Sequence, residues 1–173
     1  MKIHQFHNQK GFTLIELLLY MVIATVMVIM LSGVSIAMLR TTHKVQLLQD
    51  VHYTNSFIYT TLQRVASGAY AVSSPVGSAT SSSVTFRMYD TSIDPVIFSL
   101  MDGVVYITEG SAVAVPLHQD DMESIVTFTN VTPEDGYDSV KVQLSVSAVS
   151  ESSLASFNAI QTIDTTLTLH FTP

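Results

Sequence analysis

Glu16 is the residue whose placement most demands a chemical reason. From Leu17 to Leu39 the chain holds no Asp, Glu, Lys, Arg or His, so Glu16 is a lone acid at the head of a long apolar run. A carboxylate held in lipid is costly, about 2.5–3.5 kcal/mol at a helix centre. It must either meet a positive partner or reach the headgroups by snorkelling. Elsewhere the candidate groups are sparse. Asp120, Asp121 and Glu123 cluster, as do Asp90, Asp94 and Asp102. Calcium needs about six to eight oxygens, and no D-x-[DN]-x-[DN]-G loop supplies them, so a solvated acidic face is expected. The six histidines (His4, His7, His43, His52, His118 and His170) are scattered and form no H-E-x-x-H pair, so no metal site is expected. The nucleophile elbow G-x-S-x-G, the Walker A string and G-x-G-x-x-G are all absent. The chain reads as a non-enzyme without a cofactor. Tyr53, Phe57 and Tyr59 lie at helical spacing and are expected in a core rather than on a stacking platform.

Several elements must position Glu16 and hold the rest. Leu17–Leu39 would span roughly 35 Å as a helix, enough to cross a bilayer core of about 30 Å. Arg40 and Lys44 mark its far edge, and Lys2 and Lys10 precede it. The apolar run is longer than the core of a secretory signal, so it reads as an anchor. The helix should continue: Leu47, Leu48, Val51, Ile58, Leu62 and Val65 recur at three- and four-residue steps, with Asn55 as a gap. Ser67-Gly68 is the expected stop, giving a helix of about 55 residues. Ser73–Ser83 reads as a loop.

Beyond it the period changes to two. Val84, Phe86 and Met88 alternate with polar neighbours, as do Val96, Phe98 and Leu100. Asp102-Gly103, between the apolar runs Val96–Met101 and Val104–Thr108, predicts a two-residue hairpin with positive φ at both turn positions. Ala112–Leu117 and Ile125–Thr129 read as strands, and Pro133-Glu134-Asp135-Gly136 as a turn. Val140, Val142, Leu144, Val146 and Ala148 give the longest alternation. Ser150–Ser156 reads as a polar loop, and Leu167, Leu169 and Phe171 as the last strand. The expected fold class is α+β: a long transmembrane-to-amphipathic N-terminal helix packed on a C-terminal antiparallel head, with about seven strands in a meander.

Composition limits the function. The formal charge is −7 over 173 residues, and removing the leader with Lys2 and Lys10 would take it to −9. In residues 51–173, Arg64, Arg87 and Lys141 are the cations against twelve acids. Such a head repels phosphate backbones, so nucleic acid is not expected as a partner. There is no cysteine, which removes disulfides, thiolate nucleophiles and thiolate metal sites.

The string Gly11-Phe12-Thr13-Leu14-Ile15-Glu16, behind a short basic leader and ahead of the apolar helix, resembles the type III signal sequence of type IV prepilins and pseudopilins. The resemblance covers about a tenth of the chain and implies a division into four parts: leader 1–11, transmembrane and assembly helix 12–39, amphipathic helix 40–68, and β-rich head 69–173. It implies that a prepilin peptidase cuts after Gly11 and N-methylates Phe12. Glycine before the cut lets an extended backbone enter a protease site without a side-chain clash. In the family, the acid matched by Glu16 pairs with the N-terminal amine of a neighbouring subunit. Many major pilins carry a helix-breaking proline where this chain has Gly33. That difference, the missing cysteines and the size of the head are more similar to a minor pilin or a J-like minor pseudopilin of type II secretion. The implied partners are other subunits through the N-terminal helix, the peptidase, the membrane, and an assembly platform with its ATPase. The implied location is the cytoplasmic (inner) membrane, single-pass with the head outside, and then a filament in the periplasm or at the cell surface. The alternatives are a competence pseudopilus subunit and an anchored extracytoplasmic binding domain that never polymerises.

Overall fold

A computed structural model describes residues 13–119, 122–133, 137–152 and 155–169, with backbone alone for 149–152 and 155–157. The chain divides into two compact units, Met1–Thr42 and His43–Pro173. One helix, α1 (Leu14–Gly68), contributes to both. Its 55 residues match the length expected from the two successive apolar patterns. It runs unbroken through Gly33, where an added Cβ would meet nothing within 4 Å. It ends at Gly68, whose added Cβ would approach Met88 Cε at 3.2 Å, so the small residue there serves a close approach of side chain to backbone.

Among the described residues nine strands follow: β1 (Ala69–Ser74), β2 (Thr80–Ser81), β3 (Ser83–Met88), β4 (Val96–Met101), β5 (Val104–Glu109), β6 (Val115–Pro116), β7 (Glu123–Asn130), β8 (Ser139–Ser152) and β9 (Ala155–Thr168). They form two antiparallel sheets, ordered β1-β3-β4-β5-β6 and β2-β7-β8-β9. This corrects the single meander of about seven strands. The expected loop 73–83 holds the end of β1, all of β2 and the start of β3, and β2 leaves its sequence neighbours to pair with β7. The Ala112–Leu117 strand shrinks to Val115–Pro116, since proline has no N–H to extend a ladder. The expected polar loop 150–156 is largely strand: β8 and β9 pair from Ser139↔Thr168 to Ser152↔Ala155. The last strand therefore starts near residue 155, not 167, and Phe171 lies outside the described residues. The Pro133–Gly136 turn falls mostly outside them too.

One apolar core joins the helix to both sheets. Ile58, Leu62 and Val65 of α1 meet Phe86 and Phe98 of the first sheet and Phe128, Val142 and Leu144 of the second. The Phe86 and Phe98 rings meet edge to face, with centroids 6.1 Å apart, a favoured aromatic geometry. Every inward residue of the long alternation, Val140 to Ala148, is buried. The Asp102-Gly103 hairpin forms as expected: φ is +50° at Asp102 and +77° at Gly103, with Met101 paired to Val104. Gly103 also ties the sheets together, because its carbonyl accepts the Ser124 N–H at 2.7 Å.

Two corrections concern the helix. Leu48 lies off the buried stripe at 46% exposure, whereas Asn55, taken as a gap, is fully buried. The Asn55 amide donates to the Gln161 carbonyl of β9 at 3.2 Å, and His52 Nδ1 lies 3.0 Å from Gln161 Oε1. The buried face is continuous and includes the polar residues Thr54, Asn55 and Thr61, of which Asn55 pins the helix to an edge strand.

Candidate functional site

The start of α1 is built from local rules. The Thr13 carbonyl accepts the N–H groups of Glu16 at 3.0 Å and Leu17 at 3.2 Å, closing the first turn. Glu16 sits in that turn, exposed, where an acid is favoured by the positive end of the helix dipole. Gly11 and Phe12, the expected cleavage and methylation residues, lie outside the described residues.

The helix contains an 18-residue window of mean hydropathy 2.6 with none of it buried, long and apolar enough to cross a membrane. Its few hydroxyls do not spoil that surface. Thr25 donates to the Met21 carbonyl at 2.7 Å, Ser32 to Val28 at 2.8 Å and Ser35 to Leu31 at 2.9 Å. Each such bond folds a polar group back onto the helix, so none of these three hydroxyls needs a partner in lipid. The result is an apolar rod with one carboxylate near its start. It can sit in a bilayer, pack against other helices, and present Glu16 to a cation at one level.

The acids of the head turn out to be bound up in local structure. Asp90 accepts both the N–H and the hydroxyl of Ser92, at 2.9 and 2.6 Å, and these bonds hold its carboxyl below the usual range. Asp94 pairs with Arg87 at 2.9 Å and accepts the Met88 N–H at 2.9 Å. The Tyr70 hydroxyl, and then Asp94, push the Arg87 pKa up. Asp102 is the hairpin turn residue. Glu123 opens β7, and Asp120 and Asp121 lie outside the described residues. No three His, Asp or Glu side chains gather to hold a metal among the described residues. Among the histidines, His43 is exposed and His52 meets Gln161, while His4, His7 and His170 lie outside the described residues.

Sequence reasoning missed one feature of the head. Tyr53 and Phe57 are not core residues: they are 73% and 44% exposed, and their rings stack with planes 12° apart. Tyr59 alone of the three packs against the core. Tyr53 and Phe57 line a cleft of about 360 Å³ with Asp50, Leu117, His118 and Met122. The missing signal was phase. Ile58 and Leu62 set the buried face, and Tyr53 and Phe57 fall outside it.

The prokaryotic N-terminal methylation motif matches residues 6–32. No curated protein and no solved structure matches the chain. The matched stretch takes in Gly11, Phe12, Glu16 and most of the apolar run. That motif, at the head of one long helix followed by antiparallel sheets, supports the resemblance to type IV pilins and pseudopilins.

Proposed function

We propose that this chain is a minor pilin or pseudopilin, a structural and non-enzymatic subunit of a type IV pilus-like filament. The J-like minor position in type II secretion is the form we favour. Prepilin peptidase would cut between Gly11 and Phe12 and methylate the new terminus. The subunit would wait in the cytoplasmic membrane with its head outside. A platform protein and its ATPase would then move it into a filament beside other subunits.

The observation that carries this reading is Glu16 in the first turn of an uninterrupted apolar helix, within the methylation motif. After cleavage the Phe12 amine lies four residues before it, roughly 6 Å along a helix axis. An ammonium from a neighbouring subunit at that level offsets the cost of the carboxylate in lipid. Because the rest of the run is uncharged, only one vertical register between adjacent helices makes that pair. Gly33 in place of a breaker, with the helix continuous through it, fits a subunit that packs along its whole length.

The test is Glu16→Ala in cells carrying the assembly machinery. The variant should still insert and still be cleaved, but filaments sheared from the cells should lack it. Incorporation at the wild-type level would remove the proposed role of Glu16.

A further inference from the structure

The head carries a feature that filament packing of the N-terminal helix does not use. Asp50, Tyr53 and Phe57 follow one another at helical steps of three and four, so they share a face of α1. Opposite them, His118, Gln119 and Met122 form the other wall of the 360 Å³ cleft. In that wall the His118 ring is held in place by hydrogen bonds. The Val105 N–H donates to His118 Nε2 at 3.3 Å, so Nε2 is an acceptor. Nδ1 therefore carries the proton and donates to the Gln119 carbonyl at 2.7 Å, while Ser124 Oγ donates to Nε2 at 2.8 Å. Ser124 itself is buried, which anchors the ring.

The open wall is aromatic and anionic. The two rings lie nearly parallel, 12° apart with centroids at 6.5 Å, and both are exposed, so they present π faces to the cleft mouth. The ion pairs among the described residues are Arg87–Asp94 and Lys141–Asp164, so Asp50 has no cation beside it. Residues 51–173 hold twelve acids against three Lys and Arg, so the field around the cleft is negative. A planar cation that stacks on rings while donating to a carboxylate answers all three features, and a guanidinium has that form.

We infer that this cleft is a docking site for an arginine side chain presented by a partner protein, held between the Tyr53–Phe57 rings and the Asp50 carboxylate. The inference does not require that the chain polymerise. It assigns the head a recognition surface separate from the apolar helix. Lysine fits less well, because its compact ammonium lacks the planar fork.

The probe is blocked arginine (N-acetyl-arginine methylamide), titrated into the full-length protein in detergent micelles with methyl-labelled methionines. The uncharged isostere, the citrulline analogue, is the control. The Met122 methyl resonance should shift saturably with arginine and several-fold less with citrulline. Asp50→Asn and Phe57→Ala should each weaken the response several-fold. Both side chains are exposed, so these variants should fold, and unchanged Met88 and Met101 resonances check that. A Met122 signal that stays still, or one that moves equally with citrulline, overturns the inference.

Discussion

Leu62 and Leu48 belong to the same apolar stripe in the sequence, yet they differ in the fold, and replacing each by alanine separates the two descriptions. Leu62 is 0% exposed and lies in the core shared by the helix and both sheets. Leu62→Ala removes buried methyl groups and leaves a cavity that rigid sheets close only in part. Such changes cost about 2–5 kcal/mol, so about 3 kcal/mol is a fair central value. Leu48 is 46% exposed, so its truncation loses only part of a side-chain transfer energy, under about 1 kcal/mol. Helix propensity does not confuse the comparison, because Leu and Ala are both good helix formers. For a head of this size, each kcal/mol moves the melting midpoint by about 4 °C. Leu62→Ala should therefore melt roughly 12 °C below wild type, and Leu48→Ala no more than about 4 °C below. Near-UV circular dichroism of the full chain in detergent reads the tyrosine-bearing head, while the micelle-embedded helix contributes little. Equal shifts for the two variants would show that the stripe does not pack as described.

The positively twisted turns rank in a defined order. Gly103→Ala puts an alanine at φ +77° with its Cβ 3.2 Å from the flexible Glu123 side chain, costing about 1–2 kcal/mol. Gly110→Ala, at φ +56° with its Cβ 3.1 Å from the Ser92 backbone carbonyl, should cost more, because that atom cannot swing away; urea unfolding of both variants checks the order. Acid should weaken the head. The Ser92 bonds lower the Asp90 pKa, and those from Gln143 and then Lys141 lower the Asp164 pKa, from an ordinary 3.8. Their contribution is complete above that value and is lost as pH falls through the lower folded values. Midpoints measured from about pH 6 to pH 2 should fall at the acid end, and less steeply in Asp90→Asn.

The fold was legible where a single period dominates. The helix from Leu14 to Gly68 reads from apolar spacing, and the Asp102-Gly103 hairpin from turn chemistry. The part of β9 before Leu167 did not read, because its inward positions there are weak. Ala159 is small, Gln161 and Thr165 are polar, and Ile160 points outward. What makes β9 a strand is its long ladder to β8, a non-local partner that no local pattern encodes. The same holds for β2, two residues recruited by β7 across the chain. Asn55 looked like a flaw in the stripe because its partner, the Gln161 carbonyl, lies on the unread part of that strand. At the N-terminus the reverse is true. Glu16 and its apolar run needed no tertiary contact to be noticed, since an acid leading such a run is costly by composition alone. The Tyr53–Phe57 cleft depended on helix phase and on a loop brought beside it by folding, so it appeared only in three dimensions.

The pairing of Glu16 with a terminal ammonium requires that terminus to be made. Intact mass and N-terminal peptide sequencing of the protein, purified from membranes of cells that contain the peptidase, test this most directly. The account predicts a chain that starts at Phe12 and carries one added methyl group on its amine. A chain that still carries Met1–Gly11 under those conditions would contradict it.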